Sequence, residues 1–459
     1  MAYGSEKSDN MDERSLSEDY ETIDEDQDEA FIDEADIDQV VGEYDENDAP
    51  PSDDDDDAPN GEEWIDDDAA MEEKVLRQVP DHSTCSFNEH TDAIYAISVI
   101  PHPSSSSKFI CSTSSGDDSA FLWTFDTQTI STTPIKRLAG HSDTVLQSQF
   151  NFDKSILATA SMDGTVKLWN SQTGDFISSL EGPGESIEWI DWHPKGNIII
   201  GGSADATIWM WNTQKETCLN VFSGHSDSVS CGSFTPDGKL IVSSSEDCSV
   251  KVWNPKTAEC IVTYSAVEKN IKSFCEEPIT SLKCHATNPV FLCGSLDGSV
   301  ALCQVEQQRV LSHLKHKHAH TNSVEDVCFH PQQQHLLVSV GMDGHIVLWD
   351  TQSSSARQIM KNYPLNESTE TGSSSSGSEL SMNQSEEPIG ITHVEFDSKQ
   401  SHIIYTSDIQ GNILSWDLRT GKALKLYQGH ADVVSGITQC GDYIFSASED
   451  KRALIFSKQ

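Results

Sequence analysis

The sequence predicts an all-β fold: an eight-bladed propeller of four-stranded sheets behind an acidic tail. Three observations predict it. First, a phrase recurs. Gly224-His225-Ser226-Asp227 leads into an apolar run, then Ser245-Glu246-Asp247, then Val250-Lys251-Val252-Trp253-Asn254. The same phrase runs from Gly140-His141 through Ser161-Met162-Asp163-Gly164 to Leu168-Trp169-Asn170, and the His-to-Trp interval is 28 residues in both copies. Second, runs such as Thr165-Val166-Lys167-Leu168-Trp169 are β-branched or alternating and are bounded by Asp-Gly turns, so they read as short strands. Third, no long stretch of the repeats carries a helical apolar period. A repeat of roughly 40–45 residues built this way cannot bury its faces alone and stacks into a ring.

Eight copies follow one another. They close at Trp123, Trp169, Trp211, Trp253, Cys303, Trp349, Trp416 and Phe456. They open at His90, Gly140-His141, Gly182-Pro183, Gly224-His225, Glu277-Pro278, His320, Glu387-Pro388 and Gly429-His430, so Pro replaces His in the third, fifth and seventh. The tight-turn Asp is read at Asp118, Asp163, Asp205, Asp247, Asp297, Asp343, Asp408 and Asp450. The last copy ends after three strands. Phe87 precedes His90 by three residues, as Leu138 precedes His141, so Ser83 to Phe87 is expected to supply the missing strand. The chain then divides into a tail, 1–81, and a WD-repeat β-propeller, 82–459, with a flexible Ser-rich insert at 353–387.

Charge is unevenly placed. The chain carries a net −46; residues 1–80 hold 32 Asp/Glu and 4 Lys/Arg, a net of −28, which leaves −18 for the ring. A tail of that composition cannot bury enough apolar surface to offset its ordering entropy and is expected to be disordered. An acidic tail on an acidic ring points to a basic protein partner and away from direct nucleic-acid binding, which needs clustered Lys/Arg. The twelve cysteines form no Cys-x-x-Cys pair, and no signal peptide or membrane-length apolar run is present. A reduced, cytoplasmic setting and a monomer are expected. No cofactor signature is found.

Several polar sets resemble chemistry. His225, Ser243, Asp247 and Trp253 contain a Ser-His-Asp combination, but the set recurs at His141/Asp163/Trp169 and at His430/Asp450 with Phe456 in the Trp place. Repetition around a ring marks a structural hydrogen-bond network, not a catalytic site. His313, His316, His318 and His320 form a dense run, yet Lys315 and Lys317 oppose a cation, so no metal site is assigned.

The candidate client-binding residues lie on the face shared by the blade openings and turns. Asp117, Glu246 and Glu449 are read just before the turn Asp. Glu188 and Glu325 flank the start of the first strand, with Asp143, Glu185, Asp227 and Asp432 nearby, and Tyr95 is placed to stack on an arginine. Carboxylates around a low-dielectric opening focus the field on a basic ligand.

Glu185-Ser186-Ile187-Glu188-Trp189-Ile190-Asp191-Trp192-His193-Pro194, followed by Gly202-Ser203-Ala204-Asp205-Ala206-Thr207-Ile208-Trp209-Met210-Trp211, resembles the angio-associated migratory cell protein family. Gly116 to Trp123 and the acidic tail with Trp64 support the likeness. The family includes a fungal chaperone of a basic large-subunit ribosomal protein. The resemblance therefore implies a non-enzymatic escort that binds the client's basic segment on the acidic face. Its animal branch implies a signalling or cell-migration scaffold instead, and a nuclear histone or pre-ribosome chaperone is a further alternative.

Overall fold

In the computed structural model, residues 79–267, 274–315, 319–364, 380 and 382–458 are described. The tail to residue 78, with its expected disorder, and His316 and His318 lie outside them. Among the described residues, thirty-two strands form eight antiparallel four-stranded sheets. In blade 2 the order from the hub outward is Val145–Phe150, Ile156–Ser161, Val166–Asn170 and Phe176–Leu180. Each innermost strand packs on the next blade's innermost strand, and that of blade 8, Val434–Cys440, meets that of blade 1, Ile94–Pro101. The eight sheets therefore close on themselves.

Closure uses the start of the ring. Cys85–Phe87 pairs with Ala453–Ser457 as the outermost strand of blade 8, in the register Cys85 to Ile455 and Phe87 to Ala453. The attachment begins slightly earlier than read: the His82 N–H donates to the Gln428 carbonyl at 2.8 Å, and Asp81 faces Arg452 at 3.8 Å. Phe87 is buried and stacks on Trp123 with ring centroids 4.7 Å apart. One residue thus finishes blade 8 and packs on blade 1.

The insert is shorter than the sequence reading gave. Ser355–Lys361 is the outermost strand of blade 6, paired with His345–Asp350, so residues 353–361 belong to the blade. Residues 365–379 and 381 lie outside the described residues. At the far end, Leu380 and Met382 pack against the core between blades 6 and 7.

Within a blade, polar groups are chained. In blade 2 the Trp169 indole N–H donates to Thr159 Oγ1 at 2.9 Å, and Thr159 Oγ1 lies 2.8 Å from His141 Nε2. His141 Nδ1 lies 2.9 Å from Asp163. Asp163 also accepts the Ser142 N–H and the Thr165 N–H. A neutral imidazole protonated at Nδ1 satisfies every link. Burial lowers the His141 pKa in spite of Asp163, which keeps that form. Burial raises the Asp163 carboxyl, but the Thr165, Ser142 and His141 bonds outweigh it and leave it at about 2. The same chain runs through Trp253, Ser243, His225 and Asp247 in blade 4, and through His430, Ser446 and Asp450 in blade 8, without an indole. It also runs from His90 in blade 1 and from His320 in blade 6.

The register differs from the sequence reading in two blades. In blade 1 the network carboxylate is Asp117, bonded to His90 and to the Thr91 N–H, with its side chain buried; Asp118 holds the next, left-handed position with φ 58°. Asp117 therefore belongs to the blade network, and the position before the turn is Gly116. In blade 7 Asp408 pairs opposite Ile391, where the other blades carry Ser or Gly, and Gln410 takes the turn. Asp408 is held instead by the Asn362 and Asn412 amides at 3.2 and 3.1 Å.

Deleting residues 1–75 is expected to leave the thermal melt of the ring unchanged, whereas deleting 1–88 removes the latch and Phe87. Loss of a buried Phe costs about 3–5 kcal/mol, and the exposed strand edge promotes aggregation. Equal melting of the two truncations contradicts the latch.

Asp247→Ala leaves the His225 N–H and the Ser226 N–H without their acceptor and is expected to cost about 1–3 kcal/mol in urea denaturation. For Asp163→Asn the pH dependence is informative. The folded carboxyl sits at about 2, below the unfolded value of about 3.9, so its contribution is full above pH 4 and is lost as pH falls toward 2. The stability advantage of wild type over Asp163→Asn should be constant from pH 7 to 5 and shrink by pH 3. An unchanged advantage at pH 3 contradicts the assignment.

Candidate binding face

Two concentric sets of residues form one end of the ring. The outer set comes from the entry loops, two residues before the buried apolar residue that starts each first strand. It reads Asp92, Asp143, Glu185, Asp227, Glu277, Asn322, Ile389 and Asp432 in blades 1 to 8. Their equivalence is carried by hydrogen bonds. Ser115, Ser161, Ser245, Ser295 and Ser448 each donate a hydroxyl to the carbonyl of the entry residue in their own blade, at 3.1, 2.9, 2.8, 3.0 and 3.2 Å. Six of the eight positions are carboxylates. The sequence reading had named Asp143, Glu185, Asp227 and Asp432 only as neighbours, and it missed Asp92 and Glu277. Their shared offset from Ile94, Val145, Ile187, Val229, Ile279 and Val434 is the signal that finds them.

The second set caps the turns between the second and third strands. Its members are Gly116, Met162, Ala204, Glu246, Leu296, Met342, Ile409 and Glu449. Each N–H donates to the carbonyl one residue beyond the entry position, as in Met162 to Thr144 at 2.9 Å and Glu246 to Ser228 at 3.0 Å. Glu246 and Glu449 are exposed here. The residue after each turn Asp adopts a positive φ, and in blades 5 to 7 it is Gly298, Gly344 and Gly411. A Cβ on Gly344 would lie 2.7 Å from the Ile389 carbonyl of blade 7, so each of these turns seats against the next blade's entry loop.

Glu188, Glu325 and Tyr95 share a third position, the bulge residue of the first strand in blades 3, 6 and 1. In blades 4, 5, 7 and 8 a hydroxyl occupies it and ties one blade to the next, as where Ser230 donates to the Ile279 carbonyl at 2.9 Å and Thr392 to the Val434 carbonyl at 2.9 Å; blade 2 carries Leu146 there. A carboxylate has no proton to donate in that way. Glu188 and Glu325 are half-buried and accept the Ser186 and Ser323 hydroxyls, while Tyr95 is exposed beside Gly116. Glu246, Glu449, Glu188, Glu325 and Tyr95 therefore lie on the same face as the entry carboxylates, and Asp117 does not.

Beneath this face, innermost-strand side chains meet at the hub. Asp191 accepts the Phe234 N–H of the next blade at 2.9 Å, and Asp326 accepts the Val394 N–H at 3.2 Å, filling donors left open on strand edges. Burial raises the Asp191 carboxyl and pushes Glu395 up to about 7. The attraction of Asp326 raises the Lys283 ammonium.

His313 lies on the outermost strand of blade 5, apart from the network His320. Among the described residues no group of His, Cys, Asp or Glu is arranged to hold a metal ion, and no helix is long and apolar enough to cross a membrane. All twelve cysteines are free thiols.

The family model for the WD domain, G-beta repeat, matches residues 132–170, 174–212, 216–254, 311–350 and 421–457. Human angio-associated migratory cell protein is 28% identical over 121 residues, 26% of each chain, so the match spans about a quarter of that relative's length. Ribosome assembly protein SQT1 of Saccharomyces cerevisiae is 32% identical over 138 residues, 28% of this chain and 30% of that one. Among solved structures, Chaetomium thermophilum Sqt1 bound to the N-terminus of ribosomal protein L10 superposes with a TM-score of 0.66 at 21% identity, covering 82% of this chain and 100% of that one. With its eight closed blades and matching repeats, the chain is a WD-repeat β-propeller whose relatives include angio-associated migratory cell protein and the fungal ribosome assembly protein.

Proposed function

We propose that the protein is a non-enzymatic ribosome-assembly chaperone that binds a basic segment of a newly made large-subunit ribosomal protein on its acidic face. The observation that carries this is the repetition of a carboxylate at one entry-loop position in six of eight blades, with Glu246 and Glu449 beside them on the turns. These groups sit on rigid turns, so they cost little reorganisation when they meet a cation. The relative bound to the N-terminus of L10 supports a ribosomal protein as the client class. Neutralising such a segment keeps it from stray RNA and from aggregation until delivery.

Reversing Glu246 and Glu449 to Lys places two positive charges where the segment would lie. Both side chains are exposed, so the fold is expected to persist. Affinity for a basic ribosomal-protein peptide should fall by roughly 3 kcal/mol, more than a hundredfold. Wild-type affinity should weaken with added salt. Reversal of Glu259 and Glu306, exposed between the third and fourth strands of blades 4 and 5 at the opposite end of the ring, is the control for net charge. Equal weakening by both double variants contradicts a localised site, and no weakening by either contradicts the basic client.

A further inference from the structure

The carboxylate ring is interrupted in one place only. Blades 6 and 7 put Asn322 and the buried Ile389 at the entry position. In the same arc the turn caps of blades 5, 6 and 7 are Leu296, Met342 and Ile409, which are 50, 39 and 39% exposed. Three consecutive blades thus present a large apolar side chain at an identical position on the face. Met162 holds the same position in blade 2 at 42% exposure, but it stands alone between the small caps Gly116 and Ala204, whereas Phe176, Ile261, Leu311 and Leu424 lie on outermost strands of separate blades.

The arc is continuous. A Cβ on Gly298, two residues beyond Leu296, would lie 3.0 Å from the Asn322 carbonyl, and the next residue, Ser323, accepts the Met342 N–H at 3.0 Å. A Cβ on Gly390 would lie 3.1 Å from Met342 Sδ, and the Gly390 carbonyl accepts the Ile409 N–H at 3.1 Å. Each cap therefore leans on the entry loop that positions the next. A patch of adjoining apolar residues rimmed by charge marks an interaction site, and a methionine at its centre adapts to varied partners.

We propose that this arc is the second half of the binding face and takes aromatic or aliphatic side chains of the same extended basic peptide. The inference rests on the reading of the carboxylate sector as a basic-peptide site. Charge complementarity selects the occupant. A second copy of a ring with net −18, or the tail with net −28, would bring like charge against Glu246, Glu277 and Glu449 at the ends of the arc. A basic peptide brings opposite charge to those ends and apolar groups to the middle. The division also gives the peptide a direction, since a uniform acidic ring binds a cationic strand in any orientation.

The test uses the full chain and two synthetic peptides of equal length and charge, one alternating arginine with tyrosine and one alternating arginine with serine. Wild type is expected to bind the tyrosine peptide about tenfold more tightly, as burial of a side chain or two implies. Leu296→Ser, Met342→Ser and Ile409→Ser together should erase that preference while leaving affinity for the serine peptide unchanged. Should the triple variant melt early, Met342→Gln alone should reduce the preference in part. Equal wild-type affinities, a preference that survives the triple variant, or equal loss for both peptides overturns the proposal. So does tighter tyrosine-peptide binding after deletion of residues 1–75, which would put the chain's own tail on the arc. Failure of wild type to bind the serine peptide at all refutes the acidic-face reading instead. A tyrosine-peptide affinity that the triple variant abolishes supports the arc in that case too.

Discussion

The carboxylate that seven of the eight blades carry in the turn is the interaction on which the rest of the ring depends. Asp163 accepts from the turn that carries it and from the entry loop through His141 and the Ser142 N–H. One buried anion therefore fixes the distance between the two loops that make the binding face. Two of the three blades that lack the histidine have a substitute. In blade 5 the Lys315 ammonium lies 2.8 Å from Asp297, and in blade 7 Asn362 reaches Asp408. An unsatisfied carboxylate at such a site costs more than any single surface contact returns, so partners are conserved in kind within the ring even where residue types drift.

That same economy of polar groups governs the hub. A four-stranded sheet has two edges, and eight inner edges converge on the axis. Asp191, Asp326 and the Gln147 amide oxygen each accept a backbone N–H from the following blade, and the bulge hydroxyls of Ser230 and Thr392 donate to it. Where a bulge position carries Glu188, Glu325 or Tyr95 instead, the blade gives up one such tie and gains a side chain on the face. These three candidate binding residues stand in blades 1, 3 and 6, and in blades 4, 5, 7 and 8 the bulge keeps a hydroxyl that ties it to the next blade.

The sequence made the fold legible because its strongest signals, the Gly-His openings and the closing tryptophans, are themselves the buried network. The latch was legible for the same reason: Phe87 stands at the spacing of Leu138 from its histidine. The errors arose where two residues competed for one place. Asp117-Asp118 offers two candidates for the turn, and only the serine two residues beyond, Ser119, matching Ser249 beyond Asp247, separates them. In blade 7 the glycine at 411 marks Gln410 as the turn residue, against the pull of Asp408. The outermost strand Ser355–Lys361 was hidden because an edge strand is half-exposed and needs no apolar alternation. Its distance from Trp349, like that of Phe176 from Trp169, was the better guide.

Only part of the face is legible from charge. Carboxylates near the openings were visible, but the positions Leu296, Met342 and Ile409 look like ordinary strand ends until the turn register is known. Once the register is fixed, the same geometry that lines up six entry carboxylates lines up these three side chains. Charge spread around a symmetric ring raises the encounter rate and the affinity for any cationic strand, yet it discriminates poorly among them. Discrimination needs a feature that breaks the symmetry and that a merely basic competitor, such as a histone tail or a free polyamine, fails to fill. On the proposed reading, the apolar arc would break it at one sector, and steering and selection would fall to different residues on one surface.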